Sequence, residues 1–131
     1  MQITLNDNLP FTAVQLKYHG IVIEIPDILI DTGSSSTLFS VDAIASLGIT
    51  PELTDTLCTL RGVGGTEVVF MRTVEYLQVG DYRLEHCNIE VGGMDYGFAI
   101  NGILGMDFLL SANALINFHT CQLDFISDKV S

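Results

Sequence analysis

The stretch ILIDTGSSSTLF, Ile28 to Phe39, drives a run of β-forming residues into a lone aspartate and follows it at once with Thr32, Gly33 and three serines. A carboxylate at the end of a buried strand is costly unless something uses it. Thr32 and Ser34 offer hydroxyls beside Asp31. Gly33 removes a side chain that would block the approach of another group. Backbone N–H groups after a tight turn can also point at the acid and hold it ionised.

Outward from this point the chain reads as strands. Val14, Leu16 and Tyr18 alternate with Gln15 and Lys17, a His19-Gly20 turn follows, and Ile21, Ile23 and Ile25 carry the next strand. Pro26-Asp27 punctuates, and Ile28 to Ile30 is expected as a short separate strand. The spacing in SVDAIASLGI predicts one helix, with Ser40 as N-cap, Asp42 in the first turn, Ile44 and Leu47 on one face and Gly48 just past the end. LCTLRGVGGTEVVF predicts a long hairpin with a glycine-rich tip, and TVEYLQVGDYRLEHCNIEV a second one turning at Gly80-Asp81. GILGMDFL predicts an apolar strand stopped by Gly105 and a short helix, with Asp107 as a helix-opening cap. NALINFHTCQLDFI predicts a closing hairpin around His119-Thr120. Strand, glycine, then helix thus occurs twice, around Asp31 and around Ile103-Leu104-Gly105, an approximate internal two-fold in which one copy carries the acid.

Composition narrows the function classes. The 131 residues are expected to form one domain over 1–131. Sixteen acidic and five basic residues give a net charge of −11, which argues against nucleic acid and anionic membranes as partners. The opening MQITLNDNLPF lacks the basic start and apolar core of a signal peptide. The most apolar region, GIVIEIPDILI, is broken by Glu24, Pro26 and Asp27, so no membrane span is expected. Three cysteines, Cys58, Cys87 and Cys121, are an odd number for a disulfide framework and fit reduced thiols in a cytoplasmic protein. His86-Cys87 and His119 with Cys121 match no standard zinc spacing, so neither a metal nor a cofactor is expected.

One carboxylate can act as a base for water, but amide hydrolysis also needs an acid for the leaving nitrogen. No neighbour in sequence supplies it. Two copies meeting at Asp31 would, because two close carboxylates share a proton. One is then a general base and the other a general acid.

Asp31-Thr32-Gly33-Ser34, the LRGVGGTEVVF hairpin and ILGMDFL, in that order, resemble the retropepsin family of single-domain, homodimeric aspartic proteases. The SVDAIASLGI helix resembles one found in non-viral relatives. The resemblance implies an all-β fold, a closed acid-protease barrel with a β-hairpin flap and one or two short helices. It implies Asp31 as catalytic, Thr32 as the hydroxyl that ties two active-site loops across the two-fold, and Gly33 as the close-approach position. Ser34, with Gly62, Val63, Gly64 and Gly65 at the flap tip, would bind a polypeptide substrate, and the chain ends MQITL and CQLDFI would contribute dimer contacts. The expected function is an aspartic endopeptidase. The alternative is a catalytically silent homodimer that binds peptides or serves assembly.

Overall fold

A computed structural model describes residues 1–52, 57–62, 65–93 and 100–126, with backbone alone for 57–62 and 65–68. Ten strands carry most of it. They are β1 (Thr4–Asn6), β2 (Leu9–Tyr18), β3 (Ile21–Ile30), β4 (Leu38–Ser40), β5 (Leu57–Gly62), β6 (Gly65–Val79), β7 (Tyr82–Gly92), β8 (Gly102–Leu104), β9 (Ala114–Asn117) and β10 (Gln122–Phe125). One α-helix, α1 (Met106–Ser111), and one 3₁₀ turn at Ala45–Leu47 complete the described elements.

Eight strands form one sheet in the order β1-β2-β3-β8-β4-β7-β6-β5, and a further pairing of β2 with β6 closes six of them into a barrel. Closure runs through Gln15↔Gln78, Leu16↔Leu77 and Lys17↔Tyr76. Side-chain alternation then separates two surfaces. Ile28, Phe39, Val91 and Phe70 fall on the face that fills the main core, with Val14, Leu16, Leu77 and Ile89. Phe11, Leu38, Ile103 and Val69 fall on the other and form a second apolar cluster with Leu9 and Leu29.

The strands expected from the alternation, and the all-β barrel that the resemblance implies, are what the chain builds. The hairpins at His19-Gly20, Gly80-Asp81 and His119-Thr120 sit in register, with Tyr18↔Ile21, Val79↔Tyr82 and Asn117↔Gln122. Three expectations differ. The strand before Asp31 is not separate: β3 runs unbroken from Ile21 to Ile30, and Pro26-Asp27 is absorbed as a bulge where the register shifts between Thr12 and Val14. The Ser40–Gly48 helix shrinks to the 3₁₀ turn. Ser40 ends β4, pairing with Gly92, and the turn that follows starts with three-residue bonds such as Ala43 N–H to the Ser40 carbonyl, so its N-cap is Ile44 and not Ser40. Gly48 does close the turn, at φ 77°. Asp107 is not the cap of α1, whose N-cap is Gly105.

The chain ends meet each other. Ile3 N–H donates to the Cys121 carbonyl and Leu123 N–H to the Met1 carbonyl, around a Gln2↔Gln122 bridge. The stretches expected at a dimer contact therefore pair within one chain. Among the described residues, no helix is long and apolar enough to cross a membrane.

Candidate active site

β3 delivers Asp31 to the rim of the barrel beside β8. The parallel pairs Ile28↔Gly102, Leu29↔Ile103 and Ile30↔Leu104 are extended one step by Asp31 N–H donating to the Leu104 carbonyl at 3.0 Å. These are the two strands of the internal echo, lying side by side. Gly102 permits their approach to β4, since a Cβ there would stand 2.7 Å from the Leu38 carbonyl oxygen.

Past Asp31 the chain turns tightly. Ser34 N–H donates to the Asp31 carbonyl at 3.2 Å, and Gly33 N–H donates to the carboxylate Oδ1 at 2.9 Å. A Cβ on Gly33 would stand 3.1 Å from that same oxygen. Asp31 is half-buried, while Thr32 and Gly33 are exposed. The acid is therefore anchored from behind and open in front. The Ser34 hydroxyl donates to the Ser36 carbonyl at 2.8 Å, which leaves its oxygen as an acceptor.

The loop is clamped to α1. Met106 N–H donates to the Ser34 carbonyl at 2.8 Å and Asp107 N–H to the Ser35 carbonyl at 3.2 Å, so loop carbonyls satisfy the first donors of the helix. In return the Asp107 carboxylate accepts from Thr37, at 2.7 Å from the hydroxyl and 3.2 Å from the backbone N–H. The Thr37 oxygen accepts from Gly105 N–H at 3.1 Å. Thr37 is almost wholly buried and Asp107 exposed, so these bonds run from the interior to a carboxylate at the surface. Sequence reasoning missed this role of Asp107, because its partner lies 70 residues away. The one signal was the order of the two motifs.

A continuous row of cross-strand partners lines the other surface beside Asp31. Phe11 pairs with Leu29, Leu29 with Ile103, Ile103 with Leu38, Leu38 with Glu90, and Glu90 with Met71. Period two places Asp31 on the same side as Leu29. Ser36, on the side of Leu38, donates its hydroxyl to Glu90 Oε2 at 2.9 Å.

The β5–β6 hairpin holds register from Leu57↔Phe70 to Gly62↔Gly65. The described pairings of β6 with the barrel begin at Phe70, so the arm before it reaches beyond the barrel, paired to β5 alone. Gly62 and Gly65 stand at its far end; Val63 and Gly64 lie outside the described residues. Among the described residues no three His, Cys, Asp or Glu side chains come together as a metal-binding group.

No curated protein matches the chain. Its residues 14–108 match the family model described as aspartyl protease, a span that holds the Asp31 loop, the β5–β6 hairpin and the start of α1. With that match added to a closed barrel whose Asp-Thr-Gly loop is locked to the following strand and helix, the chain belongs to the retropepsin-like aspartyl proteases.

Proposed function

We propose that the protein is an aspartic endopeptidase that works as a homodimer, with Asp31 of each copy forming the catalytic dyad. The observation that carries this reading is the exposed Thr32-Gly33 front of a loop whose back is fixed by β8 and α1. One chain supplies one Asp-Thr-Gly, and a second copy supplies the missing acid. At contact distance the two carboxylates hold one proton between them, and the titration belongs to the pair. The ionised member takes a proton from water, and the protonated member gives one to the leaving nitrogen. Thr32 is free to tie the two loops together across the axis, and Gly33 lets the backbones approach.

The substrate is an extended polypeptide that lies over the half-buried Leu29, Glu90 and Met71 of the cross-strand row beside Asp31. It bonds through its backbone and seats alternate side chains. The Ser34 oxygen accepts from the peptide. The β5–β6 hairpin acts as the flap, with Gly62, Val63, Gly64 and Gly65 closing over the peptide and excluding water.

The test is a peptide-library cleavage screen of the wild type and Asp31→Asn, with sedimentation across a concentration series at about pH 5 and about pH 7.5. The expected result is a dimer, tighter at the lower pH, and cleavage that Asp31→Asn abolishes with the fold intact. Retained cleavage in Asp31→Asn would move the chemistry elsewhere. A strict monomer in both buffers would remove the dyad.

A further inference from the structure

The wall beside Asp31 is apolar at every cross-strand step but one. Phe11, Leu29, Ile103 and Leu38 belong to one apolar cluster, and Met71 closes the row; between Leu38 and Met71 stands Glu90. Its neighbours along β7, Ile89 and Val91, are fully buried in the main core, so Glu90 is the residue that β7 turns to the cleft side. The side chain is half-buried, and Oε2 is held by the Ser36 hydroxyl from the loop that carries Asp31. Among the described residues no basic side chain forms an ion pair with it; the pairs there join Lys17 to Glu75 and Arg72 to Glu52.

Among the described side chains, then, this carboxylate is orientated by a neutral donor and meets no counter-charge. A peptide laid across the wall desolvates it. With a neutral side chain opposite, that desolvation goes unrepaid. An ammonium or guanidinium repays it with a charge-assisted hydrogen bond. The chain's net charge of −11 draws cationic peptides in the same direction.

We infer that Glu90 is a specificity-determining residue that selects substrates carrying lysine or arginine at the subsite bounded by Ser36, Leu38 and Met71. This rests on the endopeptidase reading. In the two-fold dimer the selection occurs once on each side of the scissile bond.

The experiment compares wild type, Glu90→Gln and Glu90→Lys on a peptide library randomised at one position at a time, together with binding of the same peptides to Asp31→Asn and to Asp31→Asn/Glu90→Gln. Wild type is expected to favour Lys and Arg at one position on each side of the cut. Glu90→Gln lowers kcat/KM for those peptides by about tenfold or more and raises it for peptides with neutral residues there, because the unrepaid desolvation is gone. Glu90→Lys shifts the preference to Asp and Glu. In the Asp31→Asn background, affinity for basic peptides falls with Glu90→Gln. Cleavage by wild type with no basic preference, or one that Glu90→Gln keeps, overturns the inference and leaves the endopeptidase reading standing. No cleavage by wild type overturns that reading, and Glu90-dependent binding to basic peptides would then still support the selectivity.

Discussion

At the scale of single residues, the loop holds its shape through a carboxylate supplied by α1. Asp107 satisfies both the hydroxyl and the N–H of Thr37, which is only 1% exposed. Asp107→Ala takes the acceptor from both donors; Asp107 is itself exposed, so water can reach the place it leaves, and about 1–2 kcal/mol of stability should go with it. Asp107→Asn keeps an acceptor and should recover part of that loss. Melting temperatures of the three proteins check this, and cleavage should fall in the same order as the loop loosens. Cys87 provides a different probe. Burial, reinforced by the Asp107 carboxylate, pushes its thiol from 9.0 up to about 11. The unfolded chain therefore releases this proton first. The resulting stability is whole below about pH 9 and is lost as the pH climbs through about 11, an effect on the order of 2–3 kcal/mol. Denaturation of wild type and Cys87→Ala at pH 8 and pH 10.5 should show wild type losing more. Asp31 could be singled out from sequence because an acid ending an apolar strand is locally anomalous. Asp107 and Glu90 could not, since their meaning comes from partners across the sheet.

At the scale of elements, the contact between the Asp31 loop and α1 depends on there being no side chain at Gly105. A Cβ there would collide with the Ser36 carbonyl, which is backbone and cannot swing aside. Gly105→Ala should cost about 1–3 kcal/mol or more and should lower cleavage beyond the loss in folded protein. Calorimetry with kcat measured well below the melting temperature separates the two. Hairpins were legible because their turns are local: His19-Gly20 and Gly80-Asp81 declare themselves in two residues. The 3₁₀ turn was not. Helix signals from Ser40 to Gly48 are all present, but the turn starts later, with Ile44 at its N-cap and no side-chain capping bond. The remaining bonds run three residues back, as from Leu47 N–H to the Ile44 carbonyl. Likewise Pro26-Asp27 looked like a strand boundary, while the barrel takes it as a bulge in one long strand.

At the scale of the whole molecule, charge opposes the assembly that the proposed chemistry needs. Each copy carries a net −11, and two must meet face to face. Salt screens such repulsion over about 10 Å at 0.1 M. The dimer dissociation constant should therefore fall several-fold between about 0.02 M and about 0.5 M salt, as read by sedimentation. A constant that rises with salt would mean that ion pairs across the interface dominate instead.

Alternation along the barrel strands has a consequence for how this protein can change. Ile28, Gly102, Phe39, Val91 and Phe70 form one line of partners, and Leu29, Ile103, Leu38, Glu90 and Met71 form the next. Leu38 and Ile103 of the second line are buried as the first line is, so the half-buried Leu29, Glu90 and Met71 are the positions that answer to whatever lies against the wall. Drift or directed evolution can rewrite those three while the rest of both lines is held constant, with no loop rebuilt. The coding sequence interleaves a conservative text and an adaptable one, letter by letter, through the same strands.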